Sequence, residues 1–358
     1  MALDLDGDLA ALLRELVDIP SESGDEDALA TQVVETLRPF AHLDVSRHGN
    51  AVVARTHLGR AARVVVAGHL DTVPIADNVP SWCETVDGED RVYGRGSCDQ
   101  LGGIAVQLAV ATGVAEPSRD VTWIFYDCEE IDHASNGLGR LQRERPDLFD
   151  AEFAVLTEPT GAMVEGGCQG TLRALIRTTG KAAHSARPWM GHNAVHDLAS
   201  ALDRLVEYEP RQPEVDGLVY RESLNAVRIG GGHAGNVIPD RAWIEVNLRY
   251  APDRSAAAAE QYVRDVFTGY EVEVVDNAAG ARPGLDLPVA ADFVASVGSS
   301  PRPKLGWTDV ARFSALGVPA VNFGPGDPLK AHADDEYVPV AQVQACHDAL
   351  RRWLGGTR

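Results

Sequence analysis

Three short runs of almost unbroken apolar residues constrain this chain more than anything else: Val64 to Ala67, Val121 to Tyr126 and Phe153 to Leu156. A strand with one wet face alternates apolar and polar side chains. A strand covered on both faces does not, and it reads as a continuous apolar run. The three runs therefore predict buried strands of a mostly parallel sheet. Leu101 to Thr112, apolar and of helical length, lies between the first two. Leu9 to Val17 and Ala28 to Leu37 repeat with helical spacing, the second behind the capping signal Ser23-Gly24-Asp25. Strands alternating with helices in this way predict an α/β layer fold.

The middle of the chain changes character. Thr171 to Arg177, Leu224 to Gly230 and Ala242 to Tyr250 read as strands. In the last, Trp243, Glu245 and Asn247 alternate with Ile244, Val246 and Leu248. Helices are expected over Asn193 to Glu207 and Ser255 to Phe267. Strands with helices on one face predict a small α+β domain, bracketed by Gly166-Gly167 and the Gly/Pro-rich stretch Gly280 to Pro288. Val289 to Val297, Val310 to Leu316, Ala320 to Phe323 and Val340 to Trp353 then return to the α/β pattern. The expected organisation is a first domain in two parts, 1–169 and 283–358, with 170–282 inserted. A length of 358 residues suits two domains.

A formal net charge of -21 argues against nucleic acid and against anionic lipid, because an acidic surface repels phosphate. Met1 to Ala10 carries Asp4, Asp6 and Asp8 and has no signal-peptide pattern, and no apolar stretch is long enough to span a membrane. The 5 cysteines show no pairing pattern, so a reduced, cytoplasmic chain is expected.

Polar residues gather where the predicted strands stop. His69 and Asp71 follow the first run; at i and i+2 they share a side of an extended chain, so Asp71 is placed to orient the imidazole. Asp99, in Gly94-Arg95-Gly96-Ser97-Cys98-Asp99, precedes the helix near Leu101. Read alone it is an N-cap; read with its neighbours it can bridge two cations. Glu129-Glu130 follow the second run, and adjacent carboxylates at a strand end favour a cation between them. Glu158 follows the third run, before Pro159, and His332 closes a loop after another predicted strand. Each has an ordinary alternative as a turn or loop residue. Cys98 and Cys128 read as buried small apolar residues. Mixed nitrogen and oxygen donors favour zinc, cobalt or manganese over calcium.

This ordered set resembles a known family. Gly68-His69-Leu70-Asp71-Thr72-Val73-Pro74, Gly94-Arg95-Gly96 leading to Asp99, Cys128-Glu129-Glu130, Glu158-Pro159 and His332 are similar to motifs of the dinuclear zinc amidohydrolases. That family includes aminoacylases, carboxypeptidase G and succinyl-diaminopimelate desuccinylases. The resemblance covers almost the whole chain and is nearest to the actinobacterial desuccinylases. Glu165 to Arg173, His184-Ser185-Ala186-Arg187, Asn236-Val237-Ile238-Pro239 and Gly306-Trp307-Thr308-Asp309-Val310 carry that part of it, with Phe125 to Glu130 and Asn136 to Gly139.

The resemblance implies a zinc-peptidase-like catalytic domain and an inserted lid domain that makes a homodimer. It implies two divalent ions, with Asp99 bridging, His69 and Glu158 on one, and Glu130 and His332 on the other. Glu129 is then the general base, and the peptide after Asp99 is cis. His184 and Asn236 reach the other subunit's site, His184 donating to the oxyanion. Arg249, Thr308 and Arg187 bind a small anionic N-acyl amino acid. The implied reaction is hydrolysis of N-succinyl-L,L-2,6-diaminopimelate. Two departures remove positive charge beside the ligands: Gln100-Leu101 stands for Met-Lys, and Ala333-Asp334 for Lys-Arg. They support the alternative of a paralogous deacylase or dipeptidase; a non-catalytic metal-binding partner protein is the alternative of another class.

Overall fold

The computed structural model describes residues 3–5 and 7–355. Met1, Ala2 and Asp6 of the acidic N-terminal stretch lie outside the described residues. The chain divides into two compact units. The first takes in Met1–Gly166, Pro283–Arg302 and Arg312–Arg358 as far as they are described; the second takes in Gly167–Arg282 and Pro303–Ala311.

The first unit is built on an 8-stranded mixed sheet. Its order is Asp44–His48, Ala51–Arg55, Asp120–Tyr126, Arg63–His69, Phe153–Leu156, Ala320–Asn322, Glu165–Gly166 and Arg302–Pro303. The third to sixth of these run parallel to one another. All seven residues of Asp120–Tyr126 and all four of Phe153–Leu156 are buried, which is why these strands read as continuous apolar runs. Helix Gly102–Gly113 is apolar nearly all round and buried along most of its length. The C-terminal helix Val340–Gly355 buries Val343, Cys346, Leu350, Trp353 and Leu354. Phe293, from helix Pro288–Val297, packs against Phe153, Phe323 and Trp353 with ring centroids 5.8, 5.4 and 4.9 Å away.

A 3-stranded sheet in the order Tyr337–Pro339, Glu89–Tyr93, Trp82–Val86 completes this unit. Tyr93 stacks on Trp82 at 5.1 Å and packs against Tyr337. The pairing of Tyr337 with Tyr93 brings the chain after His332 beside the chain that leads to Asp99.

The second unit is a 4-stranded antiparallel sheet in the order Ser223–Gly231, Arg241–Tyr250, Gly170–Thr179, Glu271–Ala278. Leu172, Ala174 and Ile176 share one face with Ile244, Val246 and Leu248 in register. Helices Ala194–Asp197, Ala199–Val206 and Ala256–Val266 cover that face with Ala194, Leu198, Ala201, Ala259 and Val263. The α+β pattern is present. The single helix expected over Asn193 to Glu207 is two short ones meeting at Leu198.

The Ser23-Gly24-Asp25 capping expectation is corrected. Helix Asp27–Leu37 begins behind Glu26 with no side-chain cap, and the Ser23 hydroxyl donates instead to Asp71 Oδ2 at 2.7 Å.

Replacing Phe293 by Ala should destabilise the first unit by about 3–5 kcal/mol, the usual cost of removing a buried aromatic ring from a packed core. Urea unfolding followed by tryptophan fluorescence measures it. A midpoint equal to that of the unaltered protein would contradict this account of the core.

Candidate metal centre

The four parallel strands of the first unit end on the same side of their sheet, and the chemistry-bearing residues follow those ends. This is where α/β folds place ligand sites, because the loops there converge over the carboxyl edge. His69 is the last residue of Arg63–His69. Glu129 and Glu130 lie just past Tyr126, Glu158 just past Leu156, and the His332 loop follows Asn322.

His69 is buried. Its Nδ1 donates to the Asp71 backbone carbonyl at 2.8 Å, with the Asp71 carboxylate farther off at 3.5 Å. The carboxylate has a second task. It accepts the backbone N–H groups of Glu129 at 2.9 Å and Glu130 at 3.0 Å. Asp71 thus fixes an imidazole with its backbone and the Glu129-Glu130 turn with its side chain. Burial opposes a charged His69, but the hydrogen bonds to Asp71 and Asp99 outweigh it and raise its pKa well above the ordinary value.

Asp99 sits in a distorted turn, Ser97–Leu101, and its peptide bond to Gln100 is cis. Read alone, Asp99 was expected to cap the following helix. It does not: the residue before helix Gly102–Gly113 is Leu101, with no side-chain cap. Asp99 turns its carboxylate between two imidazoles, Oδ1 at 3.2 Å from His69 Nε2 and Oδ2 at 3.5 Å from His332 Nε2. His332 Nε2 also lies 2.8 Å from Glu130 Oε1. Burial works against an ionised Asp99, yet the bonds from His332 and His69 hold its carboxyl well below the usual range. Hydrogen bonds to Asp99 and Glu130 push His332 up to about 10. The cluster is one that demands positive charge among its carboxylates.

Two groups of donor atoms lie within 4.8 Å of one another here: His69, Glu129 and Glu130, and Asp99, Glu130 and His332. Imidazole and carboxylate donors in these groups fit divalent cations. Glu158, also buried, stands in neither group; its Oε1 accepts a hydrogen bond from Gln100 Nε2 at 2.8 Å. A third group, Glu26, Asp127 and Cys128, is occupied structurally. Glu26 accepts from the N–H groups of Gly24 and Cys128 and from Asn50, and Asp127 pairs with Arg140 at 2.7 Å. Burial pushes the Cys128 thiol up to about 12, which leaves it protonated and inert.

Reading the sequence alone missed the pair that holds this arrangement. Arg95 and Glu336 are both buried, with Nη1 2.9 Å from Oε2. Glu336 Oε1 accepts the backbone N–H groups of Cys98 at 3.1 Å and Asp99 at 3.0 Å. Arg95 donates to the carbonyl oxygens of Pro74 and Ala333. One ion pair therefore ties the loops that carry His69, Asp99 and His332. The Gly94-Arg95-Gly96 run was a visible signal for Arg95; Glu336 carried none.

The remaining expected residues lie in the second unit. His184 pairs with Val237 in a two-stranded pairing of Ala183–His184 with Val237–Ile238, and just beyond it Ser185 N–H donates to the Asn236 carbonyl at 3.0 Å. His184 Nδ1 accepts from the Ala186 N–H. Arg187 N–H donates to the His184 carbonyl. Arg249 is half-buried on Arg241–Tyr250; its Nε donates to Asn247 Oδ1, and no carboxylate pairs with it among the described residues. Thr308 is buried.

Residues 65–355 match the family described as Peptidase family M20/M25/M40. A Mycobacterium tuberculosis protein named DapE is 54% identical over 99% of this chain and 100% of its own length. The succinyl-diaminopimelate desuccinylase of Corynebacterium glutamicum is 45% identical over 98% of this chain and 97% of its own. A Staphylococcus aureus tripeptidase has the same fold, with a TM-score of 0.78 at 20% identity over 99% of this chain and 98% of its own.

Arg95→Met should strand the Glu336 carboxylate and lower stability by about 3–5 kcal/mol, because a buried charge loses its partner. The double variant Arg95→Met/Glu336→Leu should recover part of that loss. Thermal unfolding of the three proteins checks it, and a single variant as stable as the parent would show that the pair does not hold the loops.

Proposed function

On the premise that this chain belongs to peptidase family M20/M25/M40, we propose that it hydrolyses N-succinyl-L,L-2,6-diaminopimelate to succinate and L,L-diaminopimelate. The observation that carries this reading is the near end-to-end match to the relatives just described, two of them named for that reaction.

His69 and Glu158 would hold one divalent cation and Glu130 and His332 the other, with Asp99 shared; zinc is first choice, cobalt and manganese next. Such ions, when bound, lower the pKa of water and polarise a carbonyl oxygen. The chain's own residues do the rest. Glu129 takes a proton from the attacking water and returns it to the departing amine. Asp71 fixes the backbone from which Glu129 projects. His184, from a second copy of the chain, donates to the developing oxyanion. Arg249 carries a guanidinium that no acid of the second unit has claimed, which suits a substrate carboxylate. Asn236, Thr308 and Arg187 complete the substrate contacts in this reading.

A homodimer through the second unit is part of the proposal. Ser223–Gly231 is the outer strand of its sheet and exposes Val227 and Ile229, while the helix packed against it exposes Leu202 and Val206. An open apolar strand edge calls for a partner. A cytoplasmic location accords with free cysteines at all five positions. No helix among the described residues is long and apolar enough to cross a membrane.

The alternative of a different deacylase or dipeptidase leaned on Gln100-Leu101 and Ala333-Asp334. Gln100 and Leu101 are both buried whereas Asp334 is exposed, and the near end-to-end match to relatives named as desuccinylases is what weighs against this alternative. A non-catalytic metal binder is disfavoured by membership of a peptidase family.

Zinc-loaded protein should cleave the succinyl substrate in preference to N-acetyl amino acids and dipeptides. Cleavage of only the latter would move the assignment to a paralogue. Glu129→Gln should lower kcat by about 10²–10⁴-fold, the usual contribution of a general base, with metal content intact. His184→Ala should lower kcat by about 10²–10³-fold without dissociating the dimer, the scale of one oxyanion donor. Full turnover in either variant would remove that residue from the chemistry.

A further inference from the structure

Gln100, which follows Asp99 directly, is fully buried. Its Nε2 donates to Glu158 Oε1 at 2.8 Å. Its Oε1 accepts the Thr157 hydroxyl at 3.0 Å. Thr157 Oγ1 in turn accepts from Gln107 Nε2 at 2.8 Å. The bonds run one way, Gln107 to Thr157 to Gln100 to Glu158, and every member is buried. The direction leaves little choice. A carboxylate can only accept, so the amide must present nitrogen to Glu158 and oxygen to the hydroxyl.

The backbone makes room for this chain of bonds. A β-carbon at Gly68 would lie 2.4 Å from Gln107 Nε2, 2.5 Å from Gln100 Oε1 and 2.6 Å from Thr157 Oγ1. The residue immediately before His69 must therefore be glycine for the relay to exist. Gly103 is equally crowded, its β-carbon position falling 2.4 Å from the Thr157 carbonyl oxygen.

A carboxylate has two oxygens. Tying one to a fixed, neutral donor sets the plane of the group while leaving it ionised. A lysine in the same place would cancel that charge; glutamine orients without neutralising. We infer that Gln100 is a positioning residue: its buried amide aims Glu158 at the cation shared with His69, and it acts on that cation's affinity rather than on the Glu130–His332 side. The inference rests on the metal assignment proposed above.

Metal-free protein titrated with Co²⁺ alone, followed by calorimetry and visible absorption, tests it. Hydrogen-bond partners of metal ligands are typically worth about 10–100-fold in affinity. Gln100→Met, which keeps the length and removes the donor, should weaken one of two binding events by that factor and leave the other within about twofold. The weakened event should be the one abolished by His69→Ala, and the retained one that abolished by His332→Ala. Thr157→Val, close to isosteric and one bond upstream, should weaken the same event less, and it decides the matter if Gln100→Met does not fold by circular dichroism. Co²⁺ binding unchanged in Gln100→Met and Thr157→Val, while His69→Ala loses an event, would overturn the positioning role alone. Binding unchanged in His69→Ala as well would overturn the metal assignment beneath it.

Discussion

The buried ion pair of Arg95 and Glu336 is the constraint on which the candidate centre depends. Its worth lies in placement more than in stability, since removing two charges from water offsets most of their attraction. Four hydrogen bonds radiate from it: two to the Pro74 and Ala333 carbonyls, two from the Cys98 and Asp99 N–H groups. The small sheet that pairs Tyr337 with Tyr93 delivers the two partners to each other. Asp71 performs a comparable task on the opposite side, gripping the turn of Glu129 and Glu130 and anchoring Ser23. Carboxylates outside the ligand set thus fix the backbone of those inside it.

The parts legible in the sequence were those written in local pattern. Burial on both faces leaves an unbroken apolar run, so the three central strands and the residues following them could be read directly. The second unit's core face followed from alternation in Arg241–Tyr250. Strand Trp82–Val86, mostly exposed, carries no such pattern and was missed. Glu271–Ala278, an edge strand, was missed too, though its burial alternates. Ser23 and Asp99 looked like helix caps because their residue types suit caps; distant partners claimed both side chains.

What was illegible was pairing across long separations. Arg95 and Glu336 stand 241 positions apart, and Gln100 and Glu158 stand 58 apart. No periodicity links them. Gln100 shows how such a blind spot misleads. Set against the family's Met-Lys, it was one half of a departure that removes a positive charge beside a ligand; in the fold it is an interior amide in a series of buried polar side chains. The acidic total of -21 was an equally poor guide to the centre, whose acids are matched locally to imidazoles and backbone N–H groups.

The order of the large sheet has a consequence for how the protein is made. Strand Ala320–Asn322 lies between Phe153–Leu156 and Glu165–Gly166. The ribosome delivers both flanking strands long before the one that joins them, with the whole of 170–282 in between. Until then the sheet exposes an unsatisfied edge at Phe153–Leu156, among the most apolar segments of the chain. Closing that gap is a non-local step of the kind that slows folding and invites association with other chains. Newly made protein is therefore most vulnerable in the interval before Ala320–Asn322 emerges, the strand that the His332 and Glu336 segment follows.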